Sequence, residues 1–327
     1  MDVHMLSPVA EKDYPRNWSE FLSWFPTDEA CSTYLEKLRW PHGFICPACG
    51  AMADPYRASR ARLMCNACKH QTSVTAGTIF SKTRTPLRIW LAAAWYLTNQ
   101  KQGVSALGLQ RVLGLGSYQT AWTMLHRFRR AMVRPDRDKL KGTVEVDETY
   151  LSISDRAEPL SSLGRKSNTN KVQVIIAVEM LEPKGFGRIR LRRIDSDNTE
   201  NVIGFVQEMI EPGSVVCTDG LASYRKLKDL GYLHNKIVML GSDVPAHVSM
   251  AGVHRVAALI KRWILGTHHG SVQPGQLDAY LDEFVFRFNR RSSGSRGLLF
   301  YRLLQQAMVT APVTYGDVAI RKQRKPA

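Results

Sequence analysis

The spacing of apolar positions divides the chain into two halves of different character. Residues 1–26 form an irregular lead. Acids then open a helical period over 27–38, with Asp28 and Glu29 in the first turn and Trp40-Pro41 as the stop. Residues 41–80 lose that period and predict short strands joined by turns. Pro86 opens a further helix running to residue 98, and others follow over 105–113 and 118–132, separated by the turn Gly114-Leu115-Gly116-Ser117. On the last of these, Gln119, Thr120, Thr123, His126, Arg127 and Arg130 take polar positions, while Trp122, Leu125 and Phe128 make an apolar face. A helix, a short glycine-containing turn and a basic helix make a helix-turn-helix pattern, which a plain small helical bundle shares.

Beyond a linker over 135–142 the period changes to that of strands. Residues 144–150 alternate, 171–180 form a continuous apolar run suited to a buried strand, and 187–194 alternate Arg with Ile and Leu. A helix over 200–210, a short buried strand over 214–219, a helix over 221–230 and a strand over 236–240 come next. Helices over 253–265 and 277–290 close the series. This order predicts an α/β unit, a mixed sheet covered by helices.

Composition narrows the class. The 327 residues are 44% hydrophobic and 23% charged, as expected of globular domains. Lys and Arg outnumber Asp and Glu by 45 to 29, a net charge of +16. The excess is concentrated, since residues 55–135 hold 13 Lys or Arg and no carboxylate. Such a stretch suits a phosphate backbone. No apolar run reaches membrane-spanning length, and the first residues lack a signal-peptide core, so a cytoplasmic location is expected.

Four of the six cysteines fall in the pattern Cys46-x2-Cys49-x15-Cys65-x2-Cys68. Two such knuckles can close a tetrahedron of thiolates around a structural Zn2+. Two disulfides are the alternative, which a reducing compartment disfavours. Cys31 and Cys217 sit among apolar neighbours and are expected to be core residues.

Asp147 lies within the first strand of the second half, and Asp219 ends a later buried strand. Were those strands neighbours, the two carboxylates would offer hard oxygen ligands to Mg2+. Asp147 could equally be one surface acid beside Glu145 and Glu148, and Asp219 could cap the helix that begins near Leu221.

Several segments together resemble a known series. They are Val146-Asp147-Glu148-Thr149-Tyr150, Thr218-Asp219-Gly220 with Tyr224, Val253-His254-Arg255 with Lys261-Arg262-Trp263, Gly266-Thr267-His268-His269-Gly270, and Tyr280-Leu281-Asp282-Glu283-Phe284-Val285-Phe286-Arg287-Phe288-Asn289-Arg290-Arg291. With the cysteine knuckles they are similar to bacterial insertion-sequence DDE-type transposases of the zinc-ribbon group. The resemblance implies an RNase H-like (retroviral integrase) catalytic core. It also implies cleavage of the element's ends and their joining to target DNA by divalent-metal-dependent phosphoryl transfer.

In that pattern Asp147 and Asp219 are the first two metal ligands for Mg2+ or Mn2+. His254 stands where the family has Glu or Asn, with Glu283 in reserve, and imidazole suits Mn2+ better than Mg2+. Lys261, seven residues after His254, is the phosphate-contacting base of the helix. Arg127 and Arg130 are expected to contact DNA.

The implied partners are double-stranded DNA, as terminal inverted repeats and as target. A dimer or higher oligomer forms on it, within the bacterial nucleoid. A nuclease without strand transfer and a non-catalytic zinc-ribbon DNA-binding protein are the alternatives. The expected division is an amino-terminal helical lead (1–40), a zinc ribbon (41–80), a helix-turn-helix-like domain (81–135), a catalytic domain (142–310) and a basic tail (311–327).

Overall fold

The computed structural model describes residues 8–59, 61–134, 136–153, 171–237 and 249–319. It contains two compact units. One joins residues 1–134 to 292–318, and the other holds residues 135–291 with 319–327. No helix among the described residues is long and apolar enough to cross a membrane.

The first unit opens with α1 (Trp18–Trp24) and α2 (Asp28–Arg39). The expected irregular lead therefore contains a helix. Its signal is an Asn N-cap, in which Asn17 accepts from the Glu20 amide while its side-chain amide donates to the Glu20 carboxylate. Strands β1 (Tyr56–Ala58), β2 (Arg62–Met64) and β3 (Gln71–Ser73) make an antiparallel ribbon. Arg39 reaches the carbonyls of Ser73 and Val74, and Arg57 pairs with Glu36, so α2 and the ribbon are tied together.

Three helices follow: α3 (Leu87–Asn99), α4 (Ala106–Leu113) and α5 (Tyr118–Ala131). Ser105 caps α4. Gly114, in the left-handed region at φ +61, ends it, and Ser117 caps α5. These local signals produce the helix-turn-helix arrangement expected over 105–132.

The second unit carries β4 (Thr143–Ser152), β5 (Lys171–Met180), β6 (Phe186–Ile194), α6 (Thr199–Met209), β7 (Val215–Thr218), a 3-10 helix (Ala222–Leu230) and β8 (Leu233–Lys236). Helices α7 (Ala251–His268) and α8 (Leu277–Phe288) complete it. The five strands lie in the order β6-β5-β4-β7-β8. The first three run antiparallel to their neighbours, while β7 and β8 join in parallel. This is the RNase H-like mixed sheet that the resemblance implies. The last strand starts earlier than the expected 236–240, because its pairing with β7 begins at Leu233. Residues 238–240 lie outside the described residues.

Strand alternation gives the sheet two apolar faces. Leu151, Val174, Ile176 and Val178 pack against α7 and α8. Val144, Val146, Ile175 and Ala177 pack against α6 and the 3-10 helix.

One expectation about the carboxyl-terminal part is corrected. Residues 292–310 were expected within the catalytic domain, but α9 (Arg296–Val309) belongs to the first unit, which also takes α10 (Tyr315–Ala319) except its last residue. The cause is the apolar stripe of α9. Phe300, fully buried, meets Phe21, Phe25, Tyr34 and Trp95 in one aromatic cluster. Gly297 permits the approach, since a Cβ there would lie 1.9 Å from the Pro15 carbonyl oxygen.

Candidate catalytic site and zinc centre

The four ribbon cysteines converge. Their sulfurs all lie within 4.8 Å of one another, with 3.7 Å between Cys46 and Cys68 and 3.7 Å between Cys49 and Cys65. The two knuckles are built alike. Gly50 donates to the Cys46 carbonyl and Lys69 to the Cys65 carbonyl, each at 2.9 Å. Both take positive φ, at +74 and +59, to close the turn. The amides of Cys49 and Ala48 are aimed at the Cys46 sulfur and bring its thiol down to about 6. Thiolates at tetrahedral spacing are the donor set Zn2+ prefers, and four of them leave no open position. Cys31 is buried in the core, where desolvation pushes its thiol up to about 12.

The second constellation forms on the sheet face covered by α7. Asp147 and Glu145 are two residues apart on β4 and share that face. The parallel register pairs Glu145 with Cys217. Asp219 directly follows the last residue of β7, two positions beyond Cys217. Burial raises the Asp147 carboxyl above its usual value, and the negative charge of Asp219 raises it further. The Glu148 amide and the imidazole of His254 act in the opposite sense. Asp219 and His254, the other two groups assigned as ligands from the sequence, thus both act on Asp147.

Asp147 accepts from the Glu148 amide at 2.8 Å and Asp219 from the Leu221 amide at 3.1 Å, each through Oδ1. Asp219 thus holds the turn that leads into the 3-10 helix, while Leu221 is the N-cap, with no side-chain cap. Among the described residues, no hydrogen bond reaches the Oδ2 of either aspartate. His254 Nε2 is buried and has no hydrogen-bond partner among the described residues. Among the described residues, no set besides the cysteines brings three such ligand atoms within 4.8 Å of one another, so Asp147, Asp219 and His254 do not converge that closely. Two carboxylate oxygens and an orphaned imidazole nitrogen form a donor set that fits a divalent cation.

The supporting residues were not singled out in the sequence. Glu145 is 5% exposed and caps α7 from below, with its Oε2 accepting the Val253 amide at 3.0 Å. On the other face of β4, Glu148 Oε1 accepts from the Tyr224 hydroxyl at 2.6 Å. Burial pushes Glu148 up to about 7. Thr218 Oγ1 accepts from the Gly220 amide at 3.1 Å and contacts His234 Nε2 at 2.9 Å, fixing the turn that presents Asp219. Alternation along β4 was the available signal for both glutamates.

The remaining assigned residues are placed as follows. Lys261 is exposed on α7, seven residues past His254. Glu283 is fully buried and pairs with Arg287 at 2.8 Å, and it is not among the charges acting on Asp147. Arg130 is half-buried. Arg127 turns inward, donating to the Ile79 carbonyl at 3.0 Å and lying over the Trp90 ring.

Comparison with known proteins finds transposase domains in both halves of the chain. Residues 139–289 match the ISXO2-like transposase domain, a DDE-type domain, and residues 26–71 match the transposase zinc-ribbon domain. An uncharacterized protein in transposable element ISH50 of Halobacterium salinarum is 24% identical over 277 residues, which span 80% of this chain and 91% of that protein. The simian T-cell lymphotropic virus intasome in complex with PP2A regulatory subunit B56 gamma is similar at a TM-score of 0.32 and 12% identity, over 58% of this chain and 70% of that one. The Mos1 transposase paired-end complex with left transposon end is similar at 0.27 and 13%, over 67% of this chain and 75% of that one. A DDE-type transposase domain thus follows a transposase zinc ribbon. The chain is similar to insertion-sequence DNA transposases of the zinc-ribbon group.

Proposed function

We propose that this transposase cuts the ends of its element and joins them to target DNA at a site formed by Asp147, Asp219 and His254. The observation that carries the reading is the shared sheet face. Asp147 lies on β4, Asp219 just past the end of the neighbouring parallel strand β7, and the charges of Asp219 and His254 both act on Asp147. Asp147, Asp219 and His254 would hold Mg2+ or Mn2+ there. A divalent cation bound there supplies Lewis-acid polarisation of the phosphate and lowers the pKa of a nucleophilic oxygen.

In the first step water oxygen bonds to phosphorus at the element end, the bond to the 3′-oxygen breaks, and that oxygen leaves as a 3′-hydroxyl with the proton. In the second, this 3′-hydroxyl oxygen bonds to a target phosphorus. The target's own 3′-oxygen is displaced and takes the proton. Lys261, about 10 Å along α7 from His254, contacts a backbone phosphate near the cut. The carboxylate-free segment over 55–135 holds the terminal inverted repeats, with Arg130 among its DNA contacts. Arg127 supports that surface from beneath, through Ile79 and Trp90. Two ends are held together by a dimer or higher oligomer, within the bacterial nucleoid.

The test uses purified zinc-loaded protein, labelled element ends, a target plasmid and Mg2+ or Mn2+. Wild type is expected to give cleaved ends and joined products. Asp147→Asn is expected to bind ends as before and yield neither. Strand transfer retained by Asp147→Asn overturns the site, and cleavage without joined products favours a nuclease.

A further inference from the structure

We infer that Glu145 is a positioning residue, which sets His254 against Asp147 by gripping the first turn of α7. This rests on the catalytic reading above. Helix α7 starts at Ala251 with no side-chain cap of its own, because Met250 at the N-cap offers none. Its first amides are instead met from the sheet. Glu145 Oε2 accepts from Val253 N–H at 3.0 Å, and the Gly252 amide is also directed at this carboxylate.

The contact is close by design of the sequence. A Cβ on Gly252 would lie 2.9 Å from Glu145 Oε2, 2.9 Å from Met180 Sδ and 3.2 Å from Val178 Cγ1. Only glycine lets the helix end settle onto β4 and β5 at this depth. A buried carboxylate is a costly way to cap a helix unless its position matters. Here the position is specific, since Glu145 is two residues before Asp147 on the same strand face, and Val253 is next to His254. One strand therefore carries the first ligand and, through Glu145, fixes the element that carries the third. Charge against the amino-terminal end of the helix strengthens the grip.

The experiment compares wild type, Glu145→Ala, Glu145→Gln and Gly252→Ala as full-length, zinc-loaded protein. Mn2+ affinity is read from the electron paramagnetic resonance of free Mn2+, and the Mn2+ dependence of end cleavage is measured alongside. Glu145→Ala is expected to weaken Mn2+ binding by about 10-fold or more, the usual effect of removing a residue that orients a ligand. The Mn2+ needed for half-maximal cleavage rises by the same factor, and the rate recovers at saturating Mn2+. Glu145→Gln keeps one acceptor and is expected to restore most of the affinity. Gly252→Ala, which lifts the helix end, shifts affinity in the same direction as Glu145→Ala and reports the effect even if Glu145→Ala does not fold.

Phe288→Leu, a core change on α8, controls for stability and is expected to leave Mn2+ affinity at the wild-type value. Wild-type Mn2+ affinity in Glu145→Ala and Gly252→Ala, or an equal loss in Phe288→Leu, overturns the inference. Wild-type affinity in Asp147→Asn instead overturns the catalytic reading beneath it, so the two failures are distinguishable.

Discussion

Replacing Tyr224 by Phe removes one oxygen from a fully buried side chain and leaves its ring packing intact. That oxygen donates to Glu148 Oε1 at 2.6 Å and joins the helix after Asp219 to the strand that carries Asp147. No apolar cavity opens, so the cost is that of the hydrogen bond to the carboxylate, about 1.5–3 kcal/mol. For a unit of about 150 residues this lowers the melting temperature by roughly 3–12 °C, read by calorimetry on the full chain. Glu148→Gln should be milder, below about 1 kcal/mol, because its amide oxygen still accepts from Tyr224 and no charge has to be buried. Burial already brings the Glu148 carboxyl up to about 7, so near neutral pH the uncharged form is close at hand. The double variant should cost less than the sum of the two. A shift under about 1 °C for Tyr224→Phe, or an equal loss for Glu148→Gln, refutes the pairing as a fixed strut.

The other predictions follow from equally local facts. The ribbon has a core of only Phe44, Cys46, Leu63 and Cys65 beside partly buried Trp40 and Ala51, so metal supplies most of its stability. Chelation, or Cys65→Ser, should release zinc as measured by mass spectrometry and abolish hydrogen-exchange protection over 41–73, leaving β4 and β5 protected. Phe300→Ala should cost the first unit about 3–5 kcal/mol in urea titrations followed by tryptophan fluorescence. Ending the chain at residue 291 should prevent that unit from folding.

Burial pushes Glu179 up, but the Arg188 guanidinium and the amides of Arg188 and Lys141 outweigh it and hold its carboxyl below the usual value. A lowered folded value means stability that is present above the unfolded value and lost as pH falls through the folded one. The melting difference between wild type and Glu179→Gln should therefore shrink from about pH 6 to about pH 3.

Local chemistry made much of this legible in the sequence. The run Lys171–Met180 fixed a strand at both ends, because only a central strand buries so many consecutive β-branched residues. The cysteine spacing defined a metal centre, since its geometry is set within each knuckle. Asp147 was recognisable on the sheet because alternation fixes a face. What escaped depended on distant partners. The stripe of α9 was visible, but not that it would pack beside Phe21 and Trp95. Glu145 looked like a surface acid until Gly252 was seen to lie against it. Arg127 looked solvent-facing on its helix, yet its reach to Ile79 depends on how the chain folds back over 48 positions. Glu283, the reserve ligand, is fully buried and paired with Arg287, a partner one helical turn away. Charged residues are hardest to place from sequence, because their long side chains can satisfy either water or a remote backbone group.

The central claim is that Asp147, Asp219 and His254 bind one catalytic cation site, and anomalous diffraction from crystals soaked in Mn2+ tests it most directly. The account predicts anomalous density between the Oδ2 atoms of Asp147 and Asp219, within coordination distance of His254 Nε2, and its loss in Asp147→Asn. Density elsewhere in the second unit, or none at a Mn2+ concentration that supports cleavage in solution, would contradict it.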